Sequence, residues 1–132
     1  MTLPATDVLS LVARVLLVGM FPFSAAHKLL FRQEALAQAR SCVLPGGGWL
    51  LVAGGLLEIT APVGVVAGWH AGAAATLLAA YCIATALLFH AFWTQGDFWR
   101  PTDSTARPHF WDFLKNLGLA GGLLLVPLMM PF

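Results

Sequence analysis

The chain has 132 residues, of which 59% are hydrophobic and only 10% charged, with a formal net charge of +1 and a mean hydropathy of +0.81. A soluble domain carries about a quarter charged residues. Too few remain here to solvate a surface, which excludes a water-soluble globular domain and leaves an integral membrane protein. The near-neutral charge and the lack of a basic block also exclude nucleic acid as a partner.

Four apolar runs follow one another. The first, about 7–30, runs from "DVLSLVARVLLVGM" to "HKLL". It lacks a basic leader and a small-x-small cleavage site, so a retained helix is predicted and not a signal peptide. The turn "LPGGG" at 44–48 introduces the second run, about 47–68, and "GWHAG" at 68–72 links it tightly to the third, about 71–93. A polar loop, "QGDFWRPTDSTARP" at 95–108, precedes the fourth, about 109–130. Each run is close to the ~20 residues a helix needs to cross ~30 Å of hydrocarbon. The prediction is an all-α integral membrane protein, an antiparallel four-helix bundle forming a single transmembrane domain over 1–132. Pro22 and Pro62 fall inside spans, where neighbouring helices can satisfy the carbonyls they free.

The loops set an expected orientation. Lys28, Arg32, Arg40, Arg100 and Arg107 all belong to the first and third connections, and the other connection and both ends carry no lysine or arginine. The positive-inside rule places the two longer loops in the cytoplasm and both termini outside, as in a multi-pass protein of the inner (plasma) membrane. His27, Lys28, His90, Trp93 and His109 then fall at the cytoplasmic interface, and His70 at the opposite one.

Three charges, Arg14, Glu58 and Lys115, lie deep within the spans. Lys115 lies about four residues to the cytoplasmic side of the middle, Glu58 near the middle of the second span, and Arg14 about four residues to the outer side, a ladder of roughly 12 Å. Each would cost about 2.5–3.5 kcal/mol unpaired at mid-bilayer. The expectation is a shared network in which Glu58 faces Arg14, Lys115 or both, bridged by Asn116. Such a network serves either as glue that fixes helix register or as a mid-membrane ligand or proton site. Both readings stay open on the sequence.

Nothing else suggests self-contained chemistry. No H-E-x-x-H, P-loop, G-x-S-x-G or dinucleotide fingerprint is present, and no metal site is expected. Two facing histidines can hold a haem, but no spacing here demands one, so haem is not expected. Cys42, in a loop, and Cys82, mid-helix, are expected to be unrelated thiols.

The chain as a whole resembles the DoxX family of small four-helix membrane proteins. The resemblance rests on Arg14 followed by "HKL" at 27–29, "GGLLE" ending at Glu58, "HAFW" at 90–93, and "FLKNLGLAGGLLL" at 113–125. Family members often carry glycine just before the lysine that closes the first span, where this chain has Ala26 and His27. Some members resemble the small subunit of a thiosulfate:quinone oxidoreductase or accompany quinol oxidases. The resemblance thus implies an accessory or anchor subunit of a quinone-linked redox assembly. Its partners would be membrane lipid, a larger redox protein and, as an alternative, further copies of itself. No cofactor is expected within the chain, beyond a bound quinone or lipid. The competing expectation is a stand-alone protein that binds or transports a quinone-like or anionic lipid-soluble ligand beside Arg14, Glu58 and Lys115. A third is an enzyme with Glu58 as proton acceptor.

Overall fold

The computed structural model describes residues 5–41, 46–130 and 132. Among them the regular elements are all helical: α1 (Ala5–Val18), α2 (Met20–Leu30), α3 (Arg32–Arg40), α4 (Gly47–Ala67), α5 (Ala71–Phe89) and α6 (Ala106–Met129), with a short 3-10 turn at Phe92–Thr94. Four stretches are long and apolar enough to cross a membrane: Asp7–Leu30, Gly47–Ala67, Ala71–Thr94 and Ala106–Met129. The protein is an all-α multi-pass membrane protein.

The first span is interrupted at Gly19. Pro22 has no N–H for the Val18 carbonyl, and its ring crowds that carbonyl, so the hydrogen-bond ladder lapses there while the Gly19 backbone stays in the right-handed helical region (φ −61°, ψ −28°). The fourth span starts three residues before the expected boundary. The first connection also differs from the expected loop, because residues 32–40 form α3. Ala35 and Ala39 bury one side of this short helix while Arg32, Glu34 and Arg40 stay exposed. Gly47 admits it: a Cβ there would meet the Ala39 carbonyl oxygen at 2.8 Å. Cys42 and most of the "LPGGG" turn lie outside the described residues.

Between α4 and α5 the reversal takes three residues. Gly68 adopts the left-handed conformation that glycine tolerates (φ 75°) and returns its N–H to the Gly64 carbonyl, closing α4. α5 is the centre of the bundle. Ala71, Ala75, Ala79, Cys82 and Ala86 recur at steps of four and three and are buried, which lets α6 approach closely through Ala120 and Leu123. Large apolar side chains on the outside, such as Leu16, Phe23 and Leu128, are exposed. In a bilayer these positions face lipid tails.

Candidate functional site

Glu58 is the one buried charged side chain among the described residues, with 2% of its surface exposed. Three helices meet around it. On α2, Ser24 and Lys28 stand one turn apart on the face that also buries Phe21 and Ala25. Lys28 Nζ donates to Glu58 Oε1 at 2.5 Å, and Ser24 Oγ donates to the same oxygen at 3.2 Å. From α5, the Tyr81 hydroxyl donates to Glu58 Oε1 at 2.6 Å and accepts from Lys28 Nζ at 2.7 Å. Gly54, one turn before Glu58 on α4, makes room for that hydroxyl: a Cβ there would lie 3.0 Å from Tyr81 Oη. Glu58 Oε2 is buried and has no partner among the described residues.

Lys28 and Tyr81 are also the polar end of a cavity of about 270 Å³. Leu50, Leu51 and Leu57 of α4 and Ala84, Leu88 and Phe89 of α5 line two sides, and Ala35 and Ala39 of α3 close a third. An apolar pocket with few polar groups at one end is the usual form of a small-molecule site. At this volume it suits a ring-sized head or the end of a chain.

The expected ladder does not form. Arg14 points inward but serves the end of α4: its Nη1 donates to the carbonyls of Val65 (2.9 Å) and Val66 (2.8 Å). These are among the last carbonyls of the helix, which have no partner within it, and a cation is favourable at that end of the helix dipole. Lys115 is exposed and has no ion pair or side-chain hydrogen bond among the described residues. Helical phase explains this. The buried face of α6 runs through Ala120, Leu123 and Val126, and Lys115 is about 140° away from Ala120 at 100° per residue. Asn116 donates only to the Asp112 carbonyl one turn back, at 2.8 Å. The cation that meets Glu58 is Lys28, expected instead at the interface. It sits about 20° from the buried Phe21 direction on the same reckoning.

The other interface residues are placed as follows. His27 is exposed, its ring 4.8 Å from that of Phe31. Trp93 is exposed, with its edge against Phe113. His90 Nδ1 and His109 Nδ1 are 3.2 Å apart, so one ring donates to the other, and Asp112 lies 3.8 Å from His90. His90, Asp112, Lys115 and Asn116 line an open groove between α2 and α6. No group of three or more His, Cys, Asp or Glu side chains is spaced to hold a metal among the described residues.

Ser24 and Tyr81 complete the cluster without having been singled out in the sequence. A signal for one was present. Tyr81 is the chain's single tyrosine and falls mid-span, where its hydroxyl needs a partner.

The fold and the buried cluster define a small helical membrane protein with a charged pair at its centre. The chain belongs to the DoxX family: the family profile, described as DoxX, matches residues 9–91, a stretch that contains Lys28, Glu58 and Tyr81 and ends before α6. It is similar to the inner membrane protein YphA of Escherichia coli (strain K12), with 25% identity over 127 residues, covering 96% of this chain and 86% of the relative. No solved structure matches the chain significantly.

Proposed function

We propose that this protein is a multi-pass inner-membrane protein that holds a small lipid-soluble, quinone-like molecule in the cavity between α3, α4 and α5, with the ligand's head against Lys28 and Tyr81. The observation that carries this reading is the cavity itself, an apolar space that ends on a hydrogen-bonded Lys–Glu–Tyr cluster. The similarity to YphA supports the inner-membrane assignment. With Lys28 turned into the bundle, Arg32, Arg40, Arg100 and Arg107 of the first and third connections support cytoplasmic loops and external termini, so a cytoplasm-dependent reporter fused after Phe132 should be silent. An accessory role in a redox assembly is compatible with ligand binding and rests on the family. On the lipid side of α6, Lys115, Gly118 and Gly121 are exposed and give a partner helix a place to lie.

Binding of decyl-ubiquinone to the purified chain in nanodiscs tests the reading. Saturable binding that is lost in Ala84→Phe, a substitution that fills the cavity, supports it. No saturable binding, or binding indifferent to Ala84→Phe, refutes it.

A further inference from the structure

The charge and hydrogen-bond count at the polar end of the cavity constrains what can sit there. Lys28 is the one charged side chain lining this cavity. Its ammonium has three hydrogens; one is given to Glu58 and one to Tyr81. The third is left for an occupant. The Tyr81 hydrogen is already committed to Glu58. Beside Lys28 and Tyr81 the spare group is therefore a donor that asks for an acceptor, with Gln38 and Thr85 the other polar side chains along the cavity wall.

We propose that the cavity selects an uncharged, carbonyl-bearing apolar molecule, and that Glu58 is the specificity-determining residue that turns away acids. The inference rests on the ligand-binding reading above. Lys28 and Glu58 together carry no net charge. A carboxylate head would bring a second anion to an ammonium that is already neutralised. Glu58 Oε2 is itself buried and without a donor among the described residues, so an acid head would add a further acceptor where one already lacks a partner. A neutral carbonyl takes the free N–H of Lys28 and adds no charge. An ammonium head fails for the opposite reason, since it meets Lys28 directly. A charged head at this end meets one like and one opposite charge, whose Coulomb contributions largely cancel, and its lost hydration is then uncompensated, which is enough to weaken binding at least about tenfold.

The test uses three probes of one chain length: a long-chain methyl ketone, the corresponding fatty acid in its ionised form, and the corresponding primary amine. Affinities are measured on the wild-type chain in nanodiscs of uncharged lipid. The ketone should bind at least about tenfold more tightly than either charged probe. In Glu58→Gln the acid should gain on the ketone or overtake it, because Lys28 is then uncompensated. Should that variant not fold, the three-probe ranking on the wild type decides alone. An acid or amine that binds as well as the ketone, with binding abolished by Ala84→Phe, overturns the selectivity and leaves the cavity as a ligand site. Absence of binding by all three, or binding that ignores Ala84→Phe, overturns both.

Discussion

Lys28 and Lys115 occupy the same half of the bundle, and the protein treats them in opposite ways. Lys28 turns inward and meets a buried carboxylate and a phenol. Lys115 stays outside, on the rim of an open groove beside Asp112 and His90. Composition does not separate them, since each has a leucine on one side and a polar residue on the other in an apolar helix. The difference is angular. One lies in line with the buried face of its helix and the other is turned well away from it. An intramembrane lysine is therefore a site only when helical phase delivers it to a partner; otherwise its stem lies along apolar surface and its head seeks the interface.

The largest expected effect falls on the inward pair. Removing either member of a buried ion pair leaves the other charge uncompensated, which costs about 3–5 kcal/mol. Glu58→Gln and Lys28→Met should each lower the thermal midpoint in detergent sharply, while the double variant should lose much less than the sum. Additive losses would mean that the two do not act as a pair. Next comes Arg14→Met, which strips two helix-end carbonyls of their donor at about 1–3 kcal/mol for each group left unsatisfied. Arg14→Lys should recover part of this in the same melting assay.

Gly54→Ala sharpens the comparison by disturbing the partner and not the lysine. Its Cβ would press on the Tyr81 hydroxyl and ring edge at 3.0 and 3.2 Å, with an expected loss of about 1–3 kcal/mol from overpacking. Shaving the ring position at the same time should relieve it, so Gly54→Ala with Tyr81→Ala should be less than additive. Lys115→Met should have the smallest effect, within about 0.5 kcal/mol. A large loss would show that the outward lysine has a partner after all and would dissolve the contrast.

Outside the membrane, the third connection is ordered by Asp97. Its carboxylate accepts from the backbone N–H groups of Thr105 and Ala106, both at 2.8 Å, and from the hydroxyls of Thr105 and Ser104. The Thr105 backbone and side-chain bonds lead in holding this carboxyl well below the usual carboxylate range. A depressed carboxylate contributes stability that is present above the unfolded value of about 4 and lost as the pH falls below it. The protection of the Thr105 and Ala106 amides, taken relative to their intrinsic exchange rates, should fall on acidification below that point, and Asp97→Asn should remove this pH dependence.

Much of the fold is legible in the sequence because a bilayer demands long apolar runs, and the turns that separate them carry glycine and proline. The bounds of α4, and the start of α5 after Gly68, follow from that alone. The interruption at Gly19 is less legible: Pro22 marks a bend, but whether the hydrogen-bond ladder lapses depends on its neighbours. α3 is nine residues of low hydropathy, too short to show a period, and it forms because Gly47 lets it dock. Of the site, Glu58 stands out as a carboxylate in an apolar helix. Its partner does not, because depth counted from span ends points to Arg14 and Lys115, while the contact is decided by rotation about the helix axis. Lys28 looks like a residue at the end of a span. Only the buried positions of Phe21 and Ala25 reveal that it faces in.

The chain order of these pairs bears on how the protein is made. Lys28 and Arg14 both leave the ribosome before anything that can receive them. Glu58 follows Lys28 by 30 positions, and the Val65 carbonyl follows Arg14 by 51. At about 5–20 residues per second, the first span waits about 1.5–6 s for Glu58 and about 2.5–10 s for the Val65 carbonyl. During that interval Arg14 is unmatched inside the span, at up to about 2.5–3.5 kcal/mol for a cation at mid-bilayer depth, and Lys28, close to the end of the span, can only turn its head out to the interface. The first helix pair is thus a poor passenger alone and a good one in company. Stable integration of the N-terminal span should coincide with the arrival of α4, so the two enter the lipid together.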